Sequence, residues 1–483
     1  MEPQLLPCLP SRTKIVCTLG PSSQDEPTIR KMIQAGMAVA RINLSHDTLV
    51  RNAERIALCR TIALDLGVTV GIIADLQGPK FRIGSFAAGR VELQPGQAFS
   101  LLSEPVSGDA TSVHLPHPEI LEAVVPGCRI LLGDGDIELL AEQVSADGVR
   151  CRVVVGGFLA SGKGITLPCL HIRMPAITEK DRADLVFALE QQVDYVALSF
   201  VQEPADIEQL RSLMQAQGRS VPIIAKIERK GAIERFEAVL EAADAIMVAR
   251  GDLGLEVPAE EVPIYQKRLI SLTRAAGKPV ITATQMLESM MTNPRPTRAE
   301  ASDVANAIMD GSDAVMLSGE TAAGKYPVAA VQMMSRIARV TERHLPYREW
   351  AQQTALLASG SVTEAITQAC TEIATELGAK AIIAATSSGW TARMVAKNRP
   401  QAPIISVTPD GAVVGQLALV WGVAPLLVPS YSSTDEMTHR ALELARAREL
   451  LLDGDLVVLT AGVPLGLPGR TNMIQVHRVG ECL

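Results

Sequence analysis

Short apolar segments alternate with longer amphipathic segments along most of this chain. Eight of the apolar segments are rich in Val, Ile and Ala and lack polar alternation, as strands buried on both faces should. They are residues 15–17, 39–42, 70–74, 195–198, 223–225, 245–248, 280–282 and 314–317. Helix-like stretches such as 179–192, 204–217 and 259–276 lie between them. Eight strand-then-helix units predict an α/β fold with a (β/α)8 (TIM) barrel, although an open sheet has the same periodicity.

The interval between Asp75 and Glu179 breaks this alternation. It contains β-like segments separated by Gly, Asp and Pro turns, at residues 90–93, 98–102, 129–132, 137–140 and 149–155. We therefore predict a small all-β domain inserted after the third barrel strand. An insertion at that point lies over the C-terminal mouth of the barrel, where we expect it to serve as a lid.

After about residue 344 the alternation of helix and strand begins again. Helices are predicted at 362–377, 391–398, 412–421 and 434–451, and strands at 381–386, 404–407, 423–428 and 456–460. Residues 351–361 are a plausible linker before this separate α/β domain. We expect a catalytic barrel from residues 1–83 and 167–345, a lid from 84–166 and a C-terminal α/β domain from 346–483.

The composition and charge of the chain argue against several classes of protein. The 483 residues include 45 basic and 53 acidic side chains, a net charge of −8, and only 3% aromatic residues. An acidic chain with few stacking side chains argues against nucleic-acid binding. Eight dispersed cysteines without a CxxC pair indicate neither a zinc ribbon nor a disulfide framework. Without a signal-like N-terminus or an uninterrupted apolar span, we expect a cytoplasmic protein with no membrane segment.

Polar residues follow nearly every predicted barrel strand. In a (β/α)8 barrel the C-terminal strand ends face the active site. Strand ends are also commonly polar because they meet water. That explanation accounts for one or two polar strand ends, but it accounts poorly for charged residues at most of the eight. The residues concerned are Arg41, Asn43, Ser45, His46, Asp75, Ser199, Lys226, Glu228, Arg250, Asp252, Thr284, Ser318 and Glu320.

These strand-end residues have the chemistry of a phosphate site. Glu228 and Asp252 are hard oxygen ligands suited to magnesium, which takes one or two carboxylates plus substrate oxygens. Lys226 shares a strand face with Glu228, because side chains alternate with a period of two. Positive charge for phosphate or carboxylate groups is available from Arg41, Arg82, Lys226 and Arg250. A cation and a metal ligand aimed at one point suit phosphoryl transfer. Taken alone, however, residues 226–228 are more typical of a Lys–Glu ion pair near the surface.

Seven segments resemble pyruvate kinase closely. They are residues 13–21 (TKIVCTLGP), 41–46 (RINLSH), 225–228 (AKIE), 247–255 (MVARGDLGL), 283–290 (ATQMLESM), 294–300 (PRPTRAE) and 316–321 (MLSGET). The resemblance is dense in the barrel, loose in the insertion and moderate in the C-terminal domain. It implies magnesium-dependent transfer of phosphate from phosphoenolpyruvate to ADP, giving pyruvate and ATP. It also implies a homotetramer with a C-terminal regulatory domain.

The resemblance further implies roles for individual residues. Arg41, Lys226 and Thr284 correspond to the catalytic residues, and Glu228 and Asp252 to the magnesium ligands. Substrate-binding positions correspond to Arg41, Lys226, Gly251, Asp252, Thr284 and Ser318. Nucleotide-side positions correspond to Asn43, Ser45, His46, Arg82 and Lys180. The family's monovalent-cation site corresponds to Asn43, Ser45, Asp75 and the carbonyl of Leu76.

Lys80 distinguishes this chain from many family members. Those members read DTKGPE, with a glutamate that belongs to the potassium-requiring form, whereas residues 75–80 here read DLQGPK. An ammonium at that position supplies positive charge internally and balances the substrate's phosphate and carboxylate. We therefore expect this chain to resemble the potassium-independent subgroup, with Lys80 in the role of the ion. The alternative is that Lys80 points to solvent.

Two loops of the C-terminal domain resemble the family's effector-phosphate site. The first contains Thr386, Ser387, Ser388 and Gly389 before a predicted helix; the second, at 460–472, contains Gly469 and Thr471. Hydroxyls and free amides at a helix start suit a phosphate, although an ordinary N-cap has the same composition. Trp390 replaces an arginine of many members. We expect activation by a phosphorylated metabolite, either a sugar phosphate or a nucleotide monophosphate.

Three alternative interpretations are weaker. Residues 319–325 (GETAAGK) approach a Walker A loop, but Tyr326 stands where the motif needs Ser or Thr. A phosphoenolpyruvate-dependent dikinase or carboxylase shares the substrate, but no phosphohistidine module is visible. A catalytically dead sugar-phosphate sensor would not need Lys226, Glu228, Asp252 and Thr284.

Overall fold

The computed structural model describes residues 11–168, 175–356, 360–465 and 469–481. Its largest unit is a closed barrel of eight parallel strands, in which the first strand pairs with the eighth. The strands are Lys14–Leu19, Met37–Asn43, Gly71–Asp75, Tyr195–Leu198, Ile223–Ile227, Ala245–Ala249, Val280–Ala283 and Ala314–Leu317. Closure confirms the predicted fold class and excludes the open sheet.

Helices surround the barrel and cover its outer face. They are Glu26–Ala35, Leu49–Asp65, Glu179–Glu190, Pro204–Ala216, Lys230–Glu234, Phe236–Ala242, Arg250–Glu256, Val262–Ala275, Arg298–Met309, Gly319–Ala322 and Pro327–Glu342, with 3-10 turns at Pro21–Ser23 and Glu288–Met291. Several begin at a side-chain cap, such as Thr178 accepting from the amide of Asp181 and Thr297 accepting from that of Glu300. Throughout the described ranges, no helix combines the length and apolarity needed to cross a membrane.

Apolar side chains fill two layers of the barrel. One layer packs between the strands and the surrounding helices, and includes Ile15, Val196 and Val315. The other fills the barrel interior, where Ile224 is joined by Leu419 of the C-terminal domain. The floor of the barrel is thus closed by the domain that follows it.

The segment inserted after the third barrel strand forms a separate β unit with its own apolar core. Six strands make one sheet, in the order Ile165–Thr166, Arg129–Leu132, Ile137–Ser145, Gly148–Val155, Ala98–Leu102 and Ser112–His114. Gly157–Ala160 pairs with Arg90–Leu93, and one short helix spans Pro118–Ala123. The sequence pattern missed this helix and the three strands Ser112–His114, Gly157–Ala160 and Ile165–Thr166. The helix has six residues and the strands Ser112–His114 and Ile165–Thr166 have three and two, which is too short to show a period. Gly157–Ala160 begins with glycine, and its Phe158 is exposed.

The C-terminal domain is a five-stranded sheet covered by helices. The strand order is Val423–Leu427, Ile404–Thr408, Ala381–Ala385, Leu456–Ala461 and Met473–Arg478, and only the last pairs antiparallel. The helix Tyr347–Leu356 comes first and packs against the barrel core through Trp350; the helices on the sheet are Val362–Glu376, Trp390–Lys397, Gly411–Leu417 and Thr434–Ala447. The linker expected at 351–361 is wrong in its first half, because the helix Tyr347–Leu356 covers it; residues 357–359 lie outside the described ranges. Trp350 anchors that helix, since its side chain is buried with Arg274 over its ring.

Asp313 joins the C-terminal domain to the floor of the barrel. This residue directly precedes the eighth strand, and its Oδ2 accepts from the amide of Val280 over 3.0 Å. Its Oδ1 accepts from Nη1 of Arg399 over 2.9 Å and from the amide of Trp421 over 3.2 Å. One buried carboxylate therefore holds a barrel strand and two segments of the C-terminal domain together.

Candidate active site

The carboxylate of Asp75 holds two cations at the mouth of the barrel. Nε of Arg41 lies 2.6 Å from Asp75 Oδ2, and Nζ of Lys226 lies 3.2 Å from Oδ1. Burial opposes ionisation of this carboxyl, but the charges of Lys226 and Arg41 prevail and lower the pKa of Asp75. The three residues end the second, third and fifth strands, so barrel closure brings them together. Asp75 therefore stays ionised and fixes both cations.

Lys226 is a buried ammonium with several oxygen partners. Its Nζ donates to Oγ of Ser199 over 2.7 Å and lies 3.0 Å from Oε1 of Glu228. Burial acts to lower the pKa of Lys226, but the charges of Asp75 and Glu228 reverse this effect and raise it. Lys226 therefore keeps its positive charge in a dry site, where a charge acts strongly on a substrate.

Glu228 and Asp252 form a pair of neighbouring carboxylates. Glu228 Oε2 accepts from the amide of Phe200 over 2.8 Å, and Asp252 Oδ1 lies 3.2 Å from Nζ of Lys80. Burial raises the pKa of the Glu228 carboxyl; Lys226 opposes this and the charge of Asp252 adds to it. Two close carboxylates with spare lone pairs fit magnesium, which takes its remaining ligands from water and substrate. Among the described residues no third acidic, His or Cys side chain joins them in a ligand cluster.

Thr284 follows the seventh strand in an unusual backbone conformation. Its φ is 70°, in the left-handed region that a β-branched residue rarely occupies. Its Oγ1 accepts from the amide of Gly251 over 2.7 Å and donates to the carbonyl of Ala283 over 2.6 Å. Gly251 is the second residue of the helix Arg250–Glu256, which directly follows the sixth strand, so this hydrogen bond ties two strand ends together.

The hydroxyl of Ser318 is buried and makes no hydrogen bond within the part of the chain that the structure describes. A buried polar group without a partner is unfavourable, so this hydroxyl is available to a substrate or a water. Glu320 fixes the turn that carries it, because its carboxylate accepts from the amides of Ser318 over 2.7 Å and Leu287 over 3.0 Å.

The residues predicted to lie on the nucleotide side of the site are found in two different parts of the structure. Asn43, Ser45 and His46 follow the second strand, where Asn43 Oδ1 accepts from the amide of Ser45 over 3.1 Å. Lys180 joins them, since its Nζ donates to the carbonyl of Leu44 over 2.6 Å. His46 is exposed at this rim.

Arg82 lies with the lid instead. Its Nη1 donates to the carbonyl of Gly162 over 2.9 Å, and its amide donates to Nε2 of His117 over 3.0 Å. The structure therefore does not place Arg82 beside Asn43, Ser45 and Lys180. The partners described for Arg82 are residues of the lid.

Lys80 lies in a narrow crevice between the lid and the barrel. The crevice is lined by Lys80, Phe81, Ile165, Phe200, Glu228 and Asp252. Gly164 of the lid packs on it, so that a Cβ there would lie 3.2 Å from Cε of Lys80. Lys80 thus extends towards Asp252, and its side chain is 30% exposed.

The polar groups expected at the monovalent-cation site already have partners within the protein. Both carboxylate oxygens of Asp75 face cations, and the Leu76 carbonyl accepts from Oγ of Ser199 over 2.7 Å. Ser199 was noted only as a strand end, although it contacts Lys226. Thr18 was missed as well: its Oγ1 accepts from Nη1 of Arg41 over 2.9 Å. The available signal was a hydroxyl near the C-terminal end of the first strand, after the apolar residues 15–17.

The two loops predicted to bind an effector meet at one cavity. Its lining includes Thr386, Ser387, Ser388, Trp390, Gly469 and Arg470. Oγ1 of Thr391 lies 2.9 Å from Oγ1 of Thr471, which joins the helix start to the second loop. Gly389 precedes that helix with φ 76°, a left-handed value that suits glycine. The cavity therefore combines hydroxyls, backbone amides and one arginine.

Comparison with known proteins agrees with the fold and the site. The family described as "Pyruvate kinase, barrel domain" matches residues 10–331, and "Pyruvate kinase, alpha/beta domain" matches residues 364–477. Pyruvate kinase 2 of Synechocystis sp. is 49% identical over 98% of this chain and 80% of that protein. The pyruvate kinase of Geobacillus stearothermophilus is 46% identical over 98% of this chain and 81% of its own. That of Mycobacterium tuberculosis is 45% identical over 97% of this chain and 99% of its own. These matches run through the barrel, the lid and the C-terminal sheet, and the chain therefore belongs to the pyruvate kinase family of phosphotransferases.

Proposed function

We propose that this site transfers phosphate from phosphoenolpyruvate to ADP and then protonates the resulting enolate to pyruvate. The observation that carries the proposal is the buried ammonium of Lys226, held between Asp75, Glu228 and Ser199. A fixed positive charge in a water-poor site stabilises a phosphoryl group in transit without needing to reorganise. Neither a dikinase nor a carboxylase is favoured by the family matches.

Arg41 and Lys226 act on the phosphate in this proposal. Asp75 contacts both side chains, and its negative charge offsets the repulsion between the two cations, so both can lie close to the same phosphate. Arg41 binds the phosphate of the incoming substrate, and Lys226 accompanies the phosphoryl group as it moves to ADP. Glu228 and Asp252 would hold the magnesium that the family uses, which when bound neutralises phosphate charge.

The enolate faces the opposite part of the mouth. The amide of Gly251 and the hydroxyl of Thr284 lie together there. The next strand is followed by Ser318, whose hydroxyl has no hydrogen-bond partner among the described residues. We assign the substrate carboxylate and enolate oxygen to these groups. The proton reaches the methylene carbon from the side of Thr284, either from its hydroxyl or from a water that it holds.

Lys80 replaces the monovalent cation in this proposal. Its ammonium lies next to Asp252, where it adds one positive charge to the substrate side of the site. That charge balances the phosphate and carboxylate of phosphoenolpyruvate in the absence of potassium. Asn43, Ser45, Asp75 and Leu76 would then need no ion between them.

A phosphorylated metabolite activates the enzyme through the C-terminal cavity in this proposal. The hydroxyls of Thr386, Ser387 and Ser388 lie before a helix start, and Arg470 offers a charge for a second anionic group. Trp390 lines the same cavity and has a buried indole N–H without a partner among the described residues. A nucleotide monophosphate or a sugar phosphate has both the phosphate and the acceptors to occupy it. The active form is a homotetramer, as the family resemblance implies.

A coupled assay tests the proposed reaction. Purified protein receives phosphoenolpyruvate, ADP and magnesium, and lactate dehydrogenase reports pyruvate as it forms. We expect turnover that is lost in Lys226→Met, and light scattering should give the mass of four chains. Folded wild-type protein without pyruvate formation would refute the assignment.

A further inference from the structure

Arg250, which follows the sixth barrel strand, does not offer a free cation to the site. Nη1 donates to Oδ1 of Asp303 over 2.7 Å and to Oε1 of Gln266 over 3.3 Å. Nη2 donates to the carbonyl of Thr284 over 2.8 Å, and Nε donates to that of Ala283 over 3.4 Å. The guanidinium is therefore fixed by Asp303 and bridges to two backbone carbonyls at the end of the seventh strand. The expectation that Arg250 supplies charge to the substrate does not match these contacts.

The backbone that Arg250 contacts has an unfavourable conformation. Thr284 and the following Gln285 have φ values of 70° and 56°. Two successive non-glycine residues in the left-handed region are unfavourable, and the β-branched Thr284 especially so. Such a conformation persists only where surrounding contacts over-determine it. The fork of Arg250 supplies contacts on the carbonyl side of this turn.

The main chain beside Arg250 contacts the other side of Thr284. The amide of Gly251 donates to Thr284 Oγ1 over 2.7 Å, and a Cβ at Gly251 would lie 3.4 Å from that oxygen. Residues 250 and 251 thus hold both the carbonyl and the hydroxyl of one threonine. The position of Arg250 determines where the Thr284 hydroxyl lies.

We propose that Arg250, fixed by Asp303, is a positioning residue for proton transfer to the enolate. The inference rests on the proposed function, because it takes Thr284 as the group on the enolate side. In the step concerned, a C–H bond forms at the methylene carbon while an O–H bond of the hydroxyl, or of its water, breaks. The enolate C–O⁻ becomes the ketone, and the oxygen that lost the proton regains one from solvent.

Phosphoryl transfer depends on a different set of contacts. Lys226 and Arg41 are aligned by Asp75 and Ser199, none of which is among the hydrogen-bond partners described for Arg250. Loss of Arg250 should therefore slow protonation more than phosphoryl transfer. Lysine cannot replace the guanidinium fully, because a single ammonium does not reproduce a planar fork with parallel donors.

The experiment compares the two half-reactions in the full chain. The variants are Arg250→Met, Arg250→Lys and Asp303→Asn. Lys267→Met is the control, because Lys267 pairs with Asp310 from the same layer of helices. Proton exchange is followed by NMR as deuterium enters the methyl group of pyruvate, with magnesium and ATP present. Phosphoryl transfer is followed as ATP formed in the first turnover after rapid mixing with phosphoenolpyruvate and ADP.

We expect Arg250→Met to lose about 100-fold in proton exchange, the scale of a displaced general acid, while first-turnover ATP formation is retained. Arg250→Lys and Asp303→Asn should show the same selective loss to a smaller extent, and Lys267→Met should match wild type. Equal losses in both half-reactions, or no loss in either, would overturn the inference. If Arg250→Met does not fold, Arg250→Lys and Asp303→Asn test the inference in its place, by the same comparison of proton exchange with first-turnover ATP formation. A wild-type chain that makes no pyruvate would instead overturn the proposed function.

Discussion

Nζ of Lys80 lies 3.2 Å from Oδ1 of Asp252, so an ammonium contacts one of the two carboxylates proposed to hold magnesium. Lys80 also lies in the crevice where the lid meets the barrel. Its position therefore depends on contacts with both units, and it is close to the carboxylates of Glu228 and Asp252.

Replacement of Lys80 by glutamate should impose a potassium requirement. The wild-type enzyme should turn over in buffer containing only sodium or tetramethylammonium. Lys80→Glu removes a positive charge and adds a negative one beside Asp252, so kcat/KM without potassium should fall about tenfold or more. Lys163→Glu is a suitable control, because that lid lysine is exposed and faces Asp134. A wild-type enzyme that is inert until potassium is added would contradict the role given to Lys80.

Asp75→Asn should abolish most activity while the barrel remains folded. The amide cannot balance the charges of Arg41 and Lys226, which would then repel each other and lose their alignment. We expect kcat to fall on the order of 100-fold, comparable with loss of one strong electrostatic contact. The coupled assay measures this, with Asp65→Asn as a control from an exposed ion pair with Arg30. Near-normal kcat in Asp75→Asn would show that the bridge does not align the cations.

Asp194 should make stability depend on pH between about 4 and 6. Burial raises the pKa of its carboxyl from 3.8 to about 6; the amide of Ile72 and the charge of Arg60 only partly oppose this. The folded state thus binds a proton that the unfolded state releases, and the free energy of unfolding falls as pH rises through this window. At pH 7 the ionised carboxylate costs up to about 2 kcal/mol after allowance for solvent screening.

Asp194→Asn tests this dependence directly. An asparagine oxygen still accepts from the amide of Ile72, a contact of 2.7 Å, but carries no charge. Urea unfolding at pH 4.5 and 7 should show a smaller loss of stability for Asp194→Asn than for wild type. Asp65→Asn should leave the wild-type dependence intact. Identical pH dependence in wild type and Asp194→Asn would rule out titration of this carboxyl.

Ser388→Asp should abolish activation and leave basal turnover unchanged. The new carboxylate would repel the effector phosphate in the cavity lined by Ser387 and Ser388. Initial rates at low phosphoenolpyruvate, with sugar phosphates and nucleotide monophosphates added in turn, measure this effect. Ser361→Asp is a matched control, since Ser361 caps the helix Val362–Glu376 and aspartate caps equally well. Normal activation of Ser388→Asp would refute the placement of the effector.

Much of the barrel could be predicted because its strands are buried on both faces. Each strand is a short apolar run, and the polar residues near its C-terminal end mark the mouth of the barrel. This pattern led to the prediction of Arg41, Asp75, Lys226 and Glu228 as site residues. The edge strand Met473–Arg478 was missed because it is half exposed and lacks such a run. In the lid, Ser112–His114 and Ile165–Thr166 were missed because three and two residues show no period, and Gly157–Ala160 was missed because it begins with glycine and exposes Phe158.

The direction of individual side chains could not be predicted in the same way. Arg250 resembles a substrate-binding cation in sequence, yet its partner Asp303 lies 53 residues later on a helix. Arg82 likewise depends on His117 and Gly162 of the lid. A strand end shows where a side chain begins, but its direction depends on contacts between distant segments.

The eighth strand has the C-terminal domain at one end and the active site at the other. Asp313 precedes the strand and binds Arg399 and Trp421, whereas Ser318 follows it at the mouth. Five residue steps of an extended strand span about 16 Å, and a strand bonded on both sides resists both stretching and compression. The strand therefore joins the carboxylate of Asp313 to the turn that carries Ser318 through one continuous segment, without an intervening loop.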